Sequence, residues 1–391
     1  MDFTLTPLQK ELVERATAAG QEYRKFGNEW DQANLAPIEE VTVRMAELGL
    51  TGITMPKEYG GLGLSTLEYA LIVEAVVRAS ASWVPGEPMF RTSGPGVSMI
   101  LMSANEVVRE KYLRDVVAGK AGVAISITEP DYGSDMSSIQ TTAVPDGNDY
   151  IISGEKKYIT GAIEDKLYAT FVRFDGIPGP RGVGAILVER DTPGLEMQRG
   201  PMFVGSRGVP HGEIQYNDVR VTKDNLLIGP GEFPRLMKAF NMERLHNGSS
   251  SLGSAAAAFD EVLEYTQQRH QFGRPIADFQ AVYHDLADMW TSIEGARYLV
   301  YKAAATSEDG KYPNPMEVTV AKYVANNVMY DVTARSVILQ GGHGTESDGV
   351  SVSQRLHRDS LVCKVAGGSP QVIRNVIAQQ LMPDRKFPQR A

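Results

Sequence analysis

Two stretches of this chain carry hydroxyls, an aromatic ring and glycine turns at spacings that suit a flat polar ligand. Val123–Ile127 reads as a short apolar strand that runs into Thr128-Glu129-Pro130 and then into the turn Gly133-Ser134-Asp135. Ile127, Thr128, Gly133 and Ser134 thereby bring backbone N–H groups and small donors together. The second stretch is Gly154-Glu-Lys-Lys-Tyr-Ile-Thr160. Tyr158 and Thr160 are two apart on a strand, so they share a face. Hydroxyls for hydrogen bonds and an aromatic to lie against a ring would make one wall of a cofactor pocket. Two ordinary strands of a β-domain would use the same residue types.

Three further motifs follow the same order along the chain: Pro56-Lys-Glu-Tyr-Gly-Gly-Leu-Gly63, Gln268-Arg-His-Gln-Phe-Gly273 and Gly341-Gly-His-Gly344. Together with the two strands they resemble the acyl-CoA dehydrogenase family, over essentially the whole chain. The resemblance implies bound FAD, with Ile127, Thr128, Gly133, Ser134, Tyr158 and Thr160 at the flavin. Tyr158 stands where the family usually has tryptophan, and it can still stack. Arg269, Gln271 and Phe272 match the segment that reaches the pyrophosphate and adenosine half from a neighbouring subunit; Gln280 and Gly342 belong to the same cofactor set. An arginine suits phosphate because its planar fork binds bidentately. Ser369 and Gln371 match a hydroxyl and an amide that touch the cofactor.

The reaction implied is α,β-dehydrogenation of an acyl-CoA thioester. A carboxylate takes the α-proton while a hydride leaves the β-carbon for the flavin. The thioester oxygen must be polarised as enolate character develops, and the base must be within reach and partly desolvated. Many members carry that base as the Glu of an aromatic-Glu-Gly-Thr run. This chain reads Val365-Ala-Gly-Gly-Ser-Pro370, which puts Gly367 there. Its N–H can polarise the thioester, but it cannot accept a proton. A second solution, seen in isovaleryl-CoA dehydrogenase and similar to crotonobetainyl-CoA reductase types, places the Glu on an earlier helix. Phe240-Asn-Met-Glu-Arg-Leu245 matches it, with Glu243 as the base and Arg244 beside it. Ser134, Arg244 and Arg91 are the candidate substrate contacts, Arg91 toward a polar or anionic acyl tail.

The resemblance also implies a homotetramer and an electron-transferring flavoprotein as redox partner. Three alternatives stay open: an enoyl-CoA reductase direction, desulfinase or flavin monooxygenase chemistry, and a binding protein that has lost flavin. Gly367 is compatible with the second, whereas Glu243 favours proton abstraction.

Bulk properties exclude other classes. The chain has 391 residues, 42% apolar and 22% charged, with a net charge of −9. That balance argues against nucleic-acid binding. A single cysteine, Cys363, excludes an intramolecular disulfide and a cysteine metal cluster, and the six histidines show no ligand spacing, so no metal is expected. No leader-like start and no apolar run near the ~18 residues of a membrane span are present, so a cytoplasmic location is expected.

The elements that must position these groups fall into three parts. Residues 1–120 read as helices, opened by capping boxes at Thr6 and Ser65. Pro37 opens a second helix, and Trp83–Gly96, broken by prolines and glycines, reads as irregular. Residues 121–229 change to period two and predict short antiparallel strands, including Gln140–Val144, Tyr150–Ser153, Tyr158–Thr160, Leu167–Arg173, Val183–Glu189 and Glu213–Val221. Asp191–Gly194 reads as a loop. Residues 230–391 return to long helices with short connections. The fold class is α+β, with a helical domain, an antiparallel β-sandwich or barrel, and a C-terminal four-helix-type bundle.

Overall fold

The computed structural model describes residues 4–385, apart from 175, 210 and 348–350. Helices come first: α1 Pro7–Tyr23, α2 Gly27–Ala33, α3 Ile38–Glu47, α4 Thr66–Ser80, α5 Glu87–Ser93, α6 Pro95–Met102 and α7 Glu106–Val117. Thr6 with Gln9 and Ser65 with Glu68 each close a reciprocal capping box at the heads of α1 and α4. The stretch expected to be irregular instead holds α5 and most of the start of α6. Pro88 and Pro95 sit in first turns, where a missing N–H costs nothing.

Eight strands follow: β1 Val123–Ser126, β2 Thr142–Asp146, β3 Asp149–Thr160, β4 Leu167–Phe174, β5 Val183–Glu189, β6 Leu195–Arg199, β7 His211–Thr222 and β8 Leu226–Ile228. Their order is β6-β7-β3-β2-β4-β5-β8, with β1 joined to β4. The two strands predicted at Tyr150 and Tyr158 are one, β3, bent by irregularities at Gly154 and around Tyr158. The sheet is also mixed rather than purely antiparallel, because β1 and β2 both run parallel to β4. Strand β4 is buried on both faces. Leu167, Ala169 and Phe171 meet the helices on one side, and Tyr168, Val172 and Phe174 meet β3, β6 and β7 on the other. Period-two alternation thus feeds two separate cores.

The chain then becomes helical again: α8 Phe233–Gln268, a hairpin of β9 His270–Gln271 and β10 Arg274–Pro275, α9 Gln280–Ala305, α10 Pro315–Gln340, α11 Val352–Val365 and α12 Pro370–Leu381. One core joins α1, α3 and α4 to α8, α9 and α10, so the two helical parts are packed as one body. At its centre, α8 is buried all round from Leu245 to Phe259, and from Gly248 on that run is of small and apolar residues. No helix among the described residues is long and apolar enough to cross a membrane.

Candidate active site

The two polar strand ends meet through a buried ion pair. Lys156 Nζ, with no side-chain exposure, lies 2.9 Å from Glu129 Oε1 and also donates to Ile127 O at 2.9 Å. Glu129 accepts in turn from the N–H groups of Gln140 (2.6 Å) and Thr141 (2.9 Å). Lys157 N donates to Thr128 O at 2.7 Å. Burial alone would raise the Glu129 carboxyl, but Lys156 and these donors outweigh it and hold it below its ordinary value. Burial lowers Lys156 to about 8. This pair clamps Ile127 and Thr128 against β3. Nothing in residue type alone separates Lys156 from its exposed neighbours, and only the register of the strands selects it.

Tyr158 projects from that clamp, 46% exposed, with φ +62°. A bulky residue in the left-handed region is strained. The bulge that imposes it turns the ring outward, 5.7 Å from Phe203. An aromatic held open at a strained position fits a stacking partner such as the isoalloxazine ring. Tyr158→Gly is therefore expected to stabilise the flavin-free protein by about 1 kcal/mol, through relief of strain, while weakening flavin binding. Thermal unfolding with and without FAD measures both signs.

Thr160, two residues on, lines a cavity of about 80 Å³ together with Glu87, Phe90, Glu243, His246 and Cys363. Glu243 lies on the face of α8 that it shares with His246 and Asn247. Its Oε2 is buried without a hydrogen-bond partner. Burial pushes the carboxyl up, opposed by Lys322, Arg244 and the Asn247 amide. Lys322, 1% exposed on α10, donates to Gly368 O at 2.9 Å and is itself lowered to about 8 by burial. Gly367, at φ +65°, faces Glu243 so closely that a Cβ there would land on the carboxylate. The two positions at which a base is expected thus address one space, and this chain fills it from α8. Glu243 and Gly367 are brought together at the cavity, with Ser369 two residues beyond, capping α12 through Val372 N.

Other candidates lie outside this cavity, although Arg91 lines an adjoining one with Thr160 and Glu87. Arg244 does not line the cavity; it donates to Asn241 and Thr319 on the α10 side, leaving its Nε unpartnered. Arg91 is no loop arginine. It is 6% exposed on α5, paired with Asp165 and bonded to Thr42, so its charge is already matched. Gly133 and Ser134 are exposed beyond β1, with Gln371 exposed on α12. Gln340, beside the glycine pair, is buried against Glu261, Ser351 and Ser353.

Arg269, Gln271, Phe272 and Gln280 are all exposed around the β9–β10 hairpin, and Gly342 is exposed after α10. Phe272 and Gly273 both have positive φ, as a tight hairpin turn requires, and Phe272 is 92% exposed. Along α8, Arg269 lies about 40 Å from Glu243 at 1.5 Å per residue. The hairpin therefore does not complete this chain's own cavity. Among the described residues no cluster of three or more His, Cys, Asp or Glu is placed to hold a metal ion.

Comparison with known proteins agrees with this layout. Models of the acyl-CoA dehydrogenase N-terminal, middle and C-terminal domains match residues 6–120, 124–219 and 233–382. The chain is 34% identical to the caffeyl-CoA reductase-Etf complex subunit CarC of Acetobacterium woodii, covering 88% of this chain and 90% of that protein. It is 34% identical to a 3-sulfinopropanoyl-CoA desulfinase of Paraburkholderia xenovorans, covering 97% of each. The structure of butyryl-CoA dehydrogenase from Megasphaera elsdenii superposes with a TM-score of 0.92 at 30% identity, covering 98% of this chain and all of that one. With three domain models in order and relatives aligned end to end, the chain belongs to the acyl-CoA dehydrogenase family of FAD-dependent oxidoreductases.

Proposed function

We propose that this protein catalyses α,β-dehydrogenation of an acyl-CoA thioester, with Glu243 as the base for the α-proton. The observation that carries the reading is the buried, unpartnered Glu243 Oε2 in the space a Gly367 side chain would occupy. A carboxylate oxygen left without a partner inside the fold is costly to keep. It is suited to accepting a proton from a group that arrives with the substrate. The N–H of Gly367 is the donor proposed for the thioester oxygen. Thr128, Tyr158 and Thr160 are the residues proposed to hold the flavin ring. FAD, when bound, supplies the two-electron acceptor for the hydride.

The exposed Ser134 and Gln371 are proposed to meet the cofactor or the CoA arm, and Arg244 to tune Glu243 electrostatically. The exposed hairpin with Arg269, Gln271 and Phe272 is proposed to complete the cofactor site of a second copy in a homotetramer. An electron-transferring flavoprotein is the proposed electron acceptor, supported by the Etf complex named for the Acetobacterium relative. That relative is named a reductase, and the same base serves either direction, because it returns in reverse the proton it removes.

The test is anaerobic bleaching of the FAD-loaded protein with a panel of acyl-CoAs. One chain class should reduce the flavin, whereas a protein that no acyl-CoA bleaches is not a dehydrogenase. The rate should rise with pH along a limb above the ordinary carboxylate range, since burial raises Glu243 and only its ionised form accepts a proton. Lys322 lowers that pKa, so Lys322→Met should move the limb to still higher pH. A limb that stays in place excludes the lysine from this role.

A further inference from the structure

The cavity carries a second carboxyl that proton abstraction does not use. Glu87 opens α5, is 6% exposed, and lines both the cavity at Glu243 and an adjoining one toward Thr160 and Asp165. Among the described residues no protein group hydrogen-bonds to its side chain. His246 Nε2 is 4.0 Å from Oε1, beyond hydrogen-bond reach.

His246 sits one turn after Glu243 on α8, 4% exposed and packed 5.0 Å from the Phe90 ring. Its Nδ1 is 2.9 Å from the Tyr69 hydroxyl. In one of the two arrangements that this contact allows, the Tyr69 hydroxyl donates to Nδ1. The single proton of the neutral ring is then on Nε2. Burial lowers this imidazole to about 3, which keeps it neutral. Among the described residues the hydrogen-bond partner of Nε2 is Ser250 Oγ, at a long 3.4 Å.

In that arrangement the cavity presents a donor, His246 Nε2–H, and an acceptor, the Glu87 carboxyl, 4.0 Å apart. One oxygen about 2.8 Å from both would close that gap at an angle near a right angle, and a hydroxyl both donates and accepts. A methyl group there would strand both polar groups. Arg91, which lines the adjoining cavity, already has its charge matched by Asp165.

We infer that the acyl group carries a hydroxyl on its distal carbons, read jointly by Glu87 and His246, and that these two residues set substrate specificity. The inference rests on the acyl-CoA reading of the cavity and names the substrate class within it.

Binding is the direct test. Calorimetry on the FAD-loaded Glu243→Gln protein avoids consuming the ligand. It would compare γ-, δ- and ε-hydroxyacyl-CoAs with plain acyl-CoAs of equal length. One hydroxylated thioester should bind at least about 10-fold tighter than its plain counterpart, because a site built for a hydroxyl leaves buried groups unpaired without it. Adding Glu87→Leu should bring the ratio of dissociation constants close to one, and Glu87→Gln, which still accepts, should keep most of it. His246→Phe, which keeps a ring against Phe90, is an independent variant and should also collapse the ratio. Equal affinities across the panel overturn the inference. So does a ratio unchanged in both the Leu and Phe variants, or tighter binding of ammonium- or carboxylate-tailed thioesters. A protein that binds the hydroxyacyl series selectively but whose wild-type flavin is never bleached keeps this inference and loses the dehydrogenase reading.

Discussion

Glu243→Gln is expected to slow flavin reduction by the best acyl-CoA about 10²–10⁴-fold, the span that a positioned proton acceptor contributes. The amide keeps the shape of the side chain but cannot take the α-proton. A companion measurement separates catalysis from structure. Glu243 has a folded-state pKa above its unfolded one because burial disfavours the charge. Such a group destabilises the fold at any pH above the unfolded value. The Gln variant should therefore unfold no earlier than wild type at neutral pH while losing its rate. A variant that keeps its rate makes Glu243 a buried structural acid and ends its assignment as base. Gly367→Ala alone should also lower the rate, since its Cβ falls on the carboxylate.

The second large effect concerns stability. Lys156→Met is expected to cost about 3–5 kcal/mol, because it leaves Glu129 charged and buried without its counterion. Denaturant unfolding monitored by circular dichroism measures it. Pairing Lys156→Met with Glu129→Gln removes the stranded charge and should recover much of that loss. The pH sign follows from Glu129. Its folded pKa is depressed, so its contribution is present above the unfolded value and is lost as pH falls through the folded one. Flavin affinity should fall with the single variant as well, because the pair aligns Thr128 with β3. An unchanged unfolding midpoint would mean that the ion pair does not support the site.

The three-part layout was legible because periodicity changes twice, from the helical stripe of α4 to the alternation of β4 and back to the long α8. Capping boxes placed the heads of α1 and α4 correctly. Local signals failed where tertiary pairing decides. Gly154 looked like a strand end, yet β7 pairs across it and makes β3 one element. The short β6 and the helix α2 were missed, since neither carries a periodic pattern long enough to stand out. The parallel β1–β4 and β2–β4 pairs have no local signature at all.

The same division holds at the site. Resemblance supplied Glu243 and Gly367, and the structure places them in one space. Glu87, His246, Tyr69 and Lys322 come from α5, α8, α4 and α10. Only packing brings Glu87 and His246 to one cavity, with Tyr69 behind His246 and the Lys322 charge acting on Glu243. The clearest overlooked signal was a polar residue one turn beyond the base: His246 follows Glu243 by three positions.

The shared space between Gly367 and Glu243 also constrains how such a site changes over descent. A chain with glutamate at both positions would have to move the Glu243 side chain aside, because a Cβ at 367 lands on its carboxylate. A chain with glutamate at neither has no proton acceptor there. Moving the base from one position to the other by single substitutions must pass through one of these two forms. The form with neither glutamate is released from proton abstraction and open to selection for other chemistry on the same flavin scaffold.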